Sequence, residues 1–247
     1  MRVQSLNPNG GDDPAQRPAR LRIAETFTSL QGEGLLTGTR SFFIRTSGCN
    51  LRCWFCDTPY ASWHPEGGWI DVQALVDGAI ASGCGHVVLT GGEPMLPAPC
   101  GALVSGLRQN GLHVTIETAG TVYRPLIADL MSISPKLAGS GPRQGDANWQ
   151  AKHEQTRWQP KVIQQLIDSA IDYQIKFVVD DADDFERCVA AVTELSVAGD
   201  HVWIMPQGTD VATLDRQAEW LRPRVERSGY RYCDRMHVRW YGNRRGT

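Results

Sequence analysis

The 247-residue sequence contains no apolar run approaching the roughly 18 residues that a membrane-spanning helix needs. Its start, MRVQSLNPNGGDDPAQRPAR, also lacks the apolar stretch of a secretory leader, so a cytoplasmic location is the expectation. Charge of one sign is not in excess. The 25 Lys and Arg face 27 Asp and Glu, for a formal net charge of -2. Without a long basic block, neither nucleic acid nor a membrane surface is expected as the main partner. The seven cysteines lack even pairing. With no export signal they read as thiols or metal ligands, not as a disulfide framework.

Residues 1–20, rich in Pro, Gly, Asn and Asp, read as a disordered tail, and 21–247 as a single α/β domain. Short apolar runs at 41–45, 86–90, 112–118, 131–135, 173–179 and 201–206 predict strands. Helical spacing links them: Val72, Leu75, Val76, Ala79 and Ile80 before Gly83, a weaker helix up to Gly111, and Val162, Ile163, Leu166 and Ile167 further on. Phe185, Val189 and Val192 mark another helix, and 213–229 a helix interrupted near Pro223. The stretch 138–160 reads as a polar loop and RMHVRWYG as a final strand. About six alternations of strand and helix predict a parallel sheet covered by helices, as an open or partial β/α barrel. In either geometry the site lies at the C-terminal ends of the strands.

Cys49, Cys53 and Cys56 form Cys-x3-Cys-x2-Cys on one tight loop. A closed zinc site takes four ligands, and so does an electron-carrying iron–sulfur cubane. Three local thiolates therefore point to a four-iron cluster with one iron open to an exchangeable ligand. The alternative is zinc, with His64 or a distant cysteine as fourth ligand. Cys84, Cys100, Cys188 and Cys233 are scattered and read as small buried apolar residues. Thr90-Gly91-Gly92-Glu93-Pro94 follows a buried strand, where glycines let a ligand approach the backbone. Ser134-Pro135-Lys136, Lys176 and Pro206-Gln207 also fall at predicted strand ends.

The triplet, with Phe55 before its last cysteine, resembles the signature of the radical S-adenosylmethionine superfamily. That resemblance implies a 4Fe-4S cluster whose open iron is chelated by S-adenosylmethionine, which is then cleaved to a hydrogen-abstracting radical. Phe55, Cys56, Asp57, Gly92, Glu93, Ser134, Pro135, Lys136, Lys176, Pro206 and Gln207 would bind that cofactor. Further motifs narrow the family: Leu30-Gln31-Gly32-Glu33-Gly34, Phe42-Phe43-Ile44-Arg45, Asp57-Thr58, Glu117-Thr118-Ala119-Gly120-Thr121 and the ending 240–246. Together they resemble the 7-carboxy-7-deazaguanine synthases, from about residue 25 onward.

This second resemblance implies a ring contraction of 6-carboxy-5,6,7,8-tetrahydropterin with loss of ammonia, assisted by Mg²⁺ at Thr58, in queuosine and 7-deazapurine biosynthesis. It also implies a homodimer and a flavodoxin- or ferredoxin-type electron donor. Leu30, Gln31, Gly32, Glu33, Arg45, Thr90, Glu117 and His237 become the candidate substrate contacts. A pterin presents donors along its guanidine-like edge, which suits Glu33 and Glu117, and its carboxylate suits arginine's planar fork. Arg231, Arg235 and Arg239 read as a solvated face. A different radical S-adenosylmethionine enzyme, such as a glycyl-radical activase, shares the triplet and the Gly-Gly-Glu-Pro loop. A non-catalytic zinc or electron-transfer module is the third reading.

Overall fold

The computed structural model describes residues 18–144 and 147–247, so all but the last three positions of the expected tail lie outside the described residues. The chain enters the fold as strand β1 (Arg20–Leu30), then β2 (Arg40–Thr46), β3 (Gly68–Asp71) and helix α1 (Val72–Ala81). Next come β4 (His86–Gly91), α2 (Cys100–Gln109), β5 (His113–Thr118) and β6 (Leu130–Ile133). Helices α3 (Ala147–Thr156) and α4 (Pro160–Ser169) precede β7 (Asp172–Val179) and α5 (Ala182–Leu195). The chain ends through β8 (Val202–Pro206), α6 (Val211–Arg227), β9 (Arg231–Tyr232) and α7 (Met236–Tyr241).

The nine strands form one sheet in the order β3-β1-β2-β4-β5-β6-β7-β8-β9. From β2 to β9 every pairing is parallel, whereas β1 runs antiparallel to both β2 and β3. The edges β3 and β9 do not pair, so the barrel is incomplete, as the alternation predicts. One face of the sheet is apolar: Ile44, Leu89, Ile116, Ile133, Ile175 and Phe177 are fully buried with Leu103 and Leu107 of α2 and Ile163 and Leu166 of α4. Each such side chain contributes about 1.5–3 kcal/mol by leaving water. The pleat turns alternate residues to the other face. There the register aligns Arg45 with Thr90, Glu117 with Ser132, and Ser132 with Gln174, and Lys176 lies two positions further along β7. A polar row thus crosses the sheet near the C-terminal ends of its strands.

Several expectations need correction. Arg20, placed in the expected tail, pairs with Asp71 at the start of an antiparallel strand that the alternation did not announce. Ile80 is half exposed, outside the buried stripe of α1. Helix α6 runs through Pro223 without a break, because Leu221 and Val225 on either side stay fully buried and outweigh the lost hydrogen bond. The segment 138–160 contains α3, whose polar surface hides its period; His153 is its buried residue. The last piece is helix α7, not a strand. The two-residue β9 has already taken the sheet edge, and Val238 alone is buried in α7.

Candidate active site

The cysteine loop leaves β2 at Thr46 and turns at Gly48, whose φ of 109° only glycine adopts readily. It is stitched to the Gly-Gly loop after β4. Gly92 N–H donates to Thr46 O at 3.1 Å, and Glu93 N–H to Gly48 O at 2.9 Å. A Cβ on Gly92 would lie 2.2 Å from Gly48 O and 2.7 Å from Ala61 O. This glycine therefore brings two loops together, a role beside the expected one of letting a ligand approach the backbone. The Glu93 carboxylate is fully buried and does not line the site, accepting from Met95 N, Thr118 Oγ1 and Ala119 N.

Cys49, Cys53 and Cys56 all open into one cavity of about 490 Å³, a volume typical of small-molecule sites. Burial pushes the Cys49 and Cys53 thiols up to about 12. The Cys56 sulfur lies 3.1 Å from Ser62 Oγ and 3.8 Å from Thr58 Oγ1. The loop is braced from behind by α3. His153 Nδ1 accepts the Arg52 backbone N–H at 3.1 Å, which puts the ring proton on Nε2, 2.9 Å from Ser140 Oγ. The Ser140 hydroxyl in turn donates to Leu137 O at 2.6 Å.

The cavity floor is an ion network. Lys176 Nζ, 2% exposed, donates to Glu33 Oε2 at 2.8 Å and Glu117 Oε2 at 2.7 Å. Gln31 Nε2 reaches Glu117 Oε1 at 3.3 Å, and Ser132 Oγ donates to Glu117 Oε2 at 3.0 Å. Arg235 donates to the Asp57 carboxylate and to Gly208 O, and its Nε lies 3.5 Å from Glu33 Oε1. His237 Nδ1 stands 3.8 Å from the same oxygen; Gly32 permits this, since a Cβ there would meet His237 at 2.6 Å. Burial holds the His237 ring below its ordinary pKa, against the pull of Glu33. Three carboxylates therefore face two cations, leaving one acceptor charge in surplus. Across the cavity, Arg45 Nε binds Glu25 Oε1 at 2.7 Å. Its two terminal nitrogens make no hydrogen bond among the described residues, so a carboxylate-shaped fork is free.

These residues suit a cluster better than a single ion. Among the described residues His64, the expected fourth ligand of a zinc ion, does not line the cavity that the three thiols share, which counts against the zinc reading. The three thiols share one cavity without a fourth cysteine in its lining. That leaves a corner for a ligand between Gly91, Gly92, Ser134, Lys136 and Gln207, which line the same space.

Comparison with known proteins agrees with this geometry. The Radical SAM superfamily model matches residues 43–139. The 7-carboxy-7-deazaguanine synthase of Rhodopirellula baltica is 52% identical over 236 residues, covering 95% of this chain and 92% of the relative. That of Halobacterium salinarum is 42% identical, covering 93% and 92%. The chain belongs to the 7-carboxy-7-deazaguanine synthase family. As a radical S-adenosylmethionine family it implies a 4Fe-4S cluster and S-adenosylmethionine. The crystal structure of QueE from Escherichia coli superposes with a TM-score of 0.63 at 24% identity, over 88% of this chain and 95% of that one, and shows the same fold. Streptococcus suis SuiB bound to its precursor peptide shares the fold at a TM-score of 0.52 and 13% identity, over 77% of this chain and 47% of that one. Fold alone thus does not set the class of substrate.

Within this family frame, the cavity brings together Leu30, Gln31, Gly32, Glu33, Arg45, Thr90, Glu117 and His237 with Phe55, Cys56, Asp57, Thr58, Gly92, Ser134, Lys136, Lys176 and Gln207. Glu93, Pro135 and Pro206 do not line it. The prolines shape the strand ends beside lining neighbours, and Glu93 holds the loop from beneath. Asp57 and Lys176, expected at the cofactor, are spent on Arg235 and on Glu33 and Glu117. Arg235, read from sequence as solvated, is 6% exposed at its side chain and belongs to the floor. The residues that sequence reasoning missed are Arg235, Glu25, Tyr60 and His153; of these, none has a local motif that would have found it.

Proposed function

We propose that this chain converts 6-carboxy-5,6,7,8-tetrahydropterin to 7-carboxy-7-deazaguanine with loss of ammonia, a carbon–nitrogen lyase reaction of queuosine and 7-deazapurine biosynthesis. The observation that carries the proposal is the single cavity shared by the three thiols, the surplus-acceptor floor and the free Arg45 fork. The cluster would sit on Cys49, Cys53 and Cys56, with S-adenosylmethionine against Gly92, Ser134, Lys136 and Gln207. Bound there, these groups supply one-electron chemistry that ends in hydrogen abstraction from substrate.

The chain's own residues select and orient that substrate. Glu33 and Glu117 offer acceptors to the guanidine-like edge of the pterin, and Lys176 ties the two carboxylates together. Arg45 receives the carboxylate bidentately, and Thr58, which lines the same cavity, is the candidate Mg²⁺ ligand. A site that hydrogen-bonds a polar heterocycle rejects analogues that leave its buried groups unpaired, by up to ~10⁴-fold. The same reading includes a homodimer, a flavodoxin- or ferredoxin-type electron donor and a cytoplasmic location. Among the described residues no helix is long and apolar enough to cross a membrane. A glycyl-radical activase is disfavoured, because residues 243–247 line the same cavity and take up space that a protein segment would need. Anaerobically reconstituted protein given the carboxytetrahydropterin, S-adenosylmethionine, Mg²⁺ and a reductant should release the deazaguanine; its absence from the products overturns the proposal.

A further inference from the structure

Residues Asn243, Arg244, Arg245, Gly246 and Thr247 line the cavity although they follow the last helix. One side chain fastens them. Arg245 Nε lies 3.1 Å from Glu25 Oε2, its Nη1 2.8 Å from Glu66 Oε2, and its Nη2 3.2 Å from Ala24 O. Its guanidinium also stacks 4.0 Å from the centre of the Tyr60 ring. Arg244, by contrast, makes no side-chain bond among the described residues.

Glu25 is the shared anchor. Its Oε1 accepts Arg45 Nε at 2.7 Å and the Tyr60 hydroxyl at 2.7 Å, while Oε2 accepts Arg245. The Glu25 side chain is 11% exposed and that of Arg45 15%, against 45% for Arg245. The buried half of this relay is therefore the half that presents Arg45. A carboxylate accepting on both oxygens cannot rotate without breaking bonds on both sides. Two of the three guanidinium nitrogens of Arg45 stay free only while Glu25 holds the third.

We infer that Arg245 is a positioning residue for substrate carboxylate recognition: by occupying the outer oxygen of Glu25 it sets the inner oxygen on Arg45 and straps residues 242–247 across the cavity mouth. The inference rests on the carboxypterin reading of the pocket. It predicts that fastening of the strap and reading of the carboxylate are coupled. The substrate's carboxylate, held by Arg45, favours the Glu25 geometry that Arg245 needs, and a fastened strap keeps water from the site during the reaction.

The test compares binding of 6-carboxypterin with pterin lacking the carboxylate, by quenching of pterin fluorescence on the cluster-loaded protein. Wild type should prefer the carboxylated ligand. In R245A that preference should fall about fivefold, the scale of one partly exposed ion pair, while binding of plain pterin is unchanged. R245K, which can still reach one carboxylate, should recover part of it, and R227A, exposed on α6 and outside the cavity lining, should behave as wild type. Iron content should be equal in all four. Hydrogen exchange of the 242–247 amides should slow when 6-carboxypterin binds to wild type, and not in R245A. A wild type without carboxylate preference overturns the pterin reading, and this inference with it. A preference present in wild type and retained in R245A overturns the inference alone.

Discussion

Arg235 and Asp57, 178 positions apart in the chain, share an ion pair that ties the last turn before α7 to the residue following Cys56. Arg235 is also held by Gly208 O at 2.6 Å, so its guanidinium is fixed from the β8 side as well. The pair thereby fixes the position of Thr58, the next residue, relative to the cavity floor. Removing one partner of a buried pair costs about 3–5 kcal/mol. Asp57 keeps 35% of its side-chain exposure, which lets water recover part of that loss.

R235M should therefore lower unfolding stability by about 2–3 kcal/mol, and R235M/D57N should recover most of the loss. A urea double-mutant cycle measures the coupling. If the two single variants simply add, Asp57 and Arg235 do not act as a pair.

The Lys176 cluster makes a pH prediction. Burial alone would raise the Glu33 carboxyl, but Lys176, His237 and Arg235 outweigh it and hold Glu33 well below its ordinary value of 4.5. Burial would lower Lys176, and Glu117 and Glu33 reverse this and raise it. A lowered carboxyl contributes stability above the unfolded pKa and loses it as pH falls toward the folded one. E33Q should be less stable than wild type by about 2 kcal/mol, by an amount constant from about pH 6 to 8 and shrinking below about pH 4.5. Raised Lys176 works in the opposite range: its contribution is complete below 10.5 and lost only above it. Urea midpoints of wild type and E33Q across the acid and neutral range check the Glu33 term; a gap that widened in acid would contradict the assignment.

Much of this arrangement is legible in the sequence because it is carried by local pattern. The β-branched runs at 86–90 and 173–179 can bury both faces only as inner parallel strands, and Cys49–Cys56 is a motif whose spacing is its geometry. Lys176 was visible as a strand-end lysine, yet its partners Glu33 and Glu117 come from two other strand ends, so its role as counter-ion was not. Arg235 was illegible for the same reason. With Arg231 and Arg239 it reads by default as a solvated face, and only the return of the chain beneath the cysteine loop buries it. Helix α3 offers His153 as its buried residue in a polar surface, too little for a periodic signal. Strand β1 alternates weakly because much of it stays half exposed.

Two glycines should respond in opposite ways. G92A places a methyl 2.2 Å from Gly48 O, where backbone must shift, and should cost about 3 kcal/mol or more. Because Gly48 precedes Cys49, the same variant should lose bound iron. Gly101, in the first turn of α2, has nothing within 4 Å of the added carbon. G101A should stabilise the protein by about 0.4–1 kcal/mol. Thermal unfolding and iron analysis of the two variants test this, and equal destabilisation would show that the loops are not packed as described.

His153 supplies the last prediction, on cluster loading. Its Nδ1 is the acceptor for the Arg52 N–H between Cys49 and Cys53, and a buried donor left without a partner costs about 1–3 kcal/mol. That cost falls on the conformation in which the thiols converge. H153A should therefore reduce iron and sulfide per chain after anaerobic reconstitution, and H153N, whose Oδ1 can accept the same N–H, should restore them. C53A should abolish loading outright. C188A, which removes a fully buried thiol packed in the core away from the cavity, should leave it intact. Full loading in H153A would show that α3 covers the cysteine loop without holding it. Equal loss in C53A and C188A would mean that the wrong thiols have been assigned to the cluster.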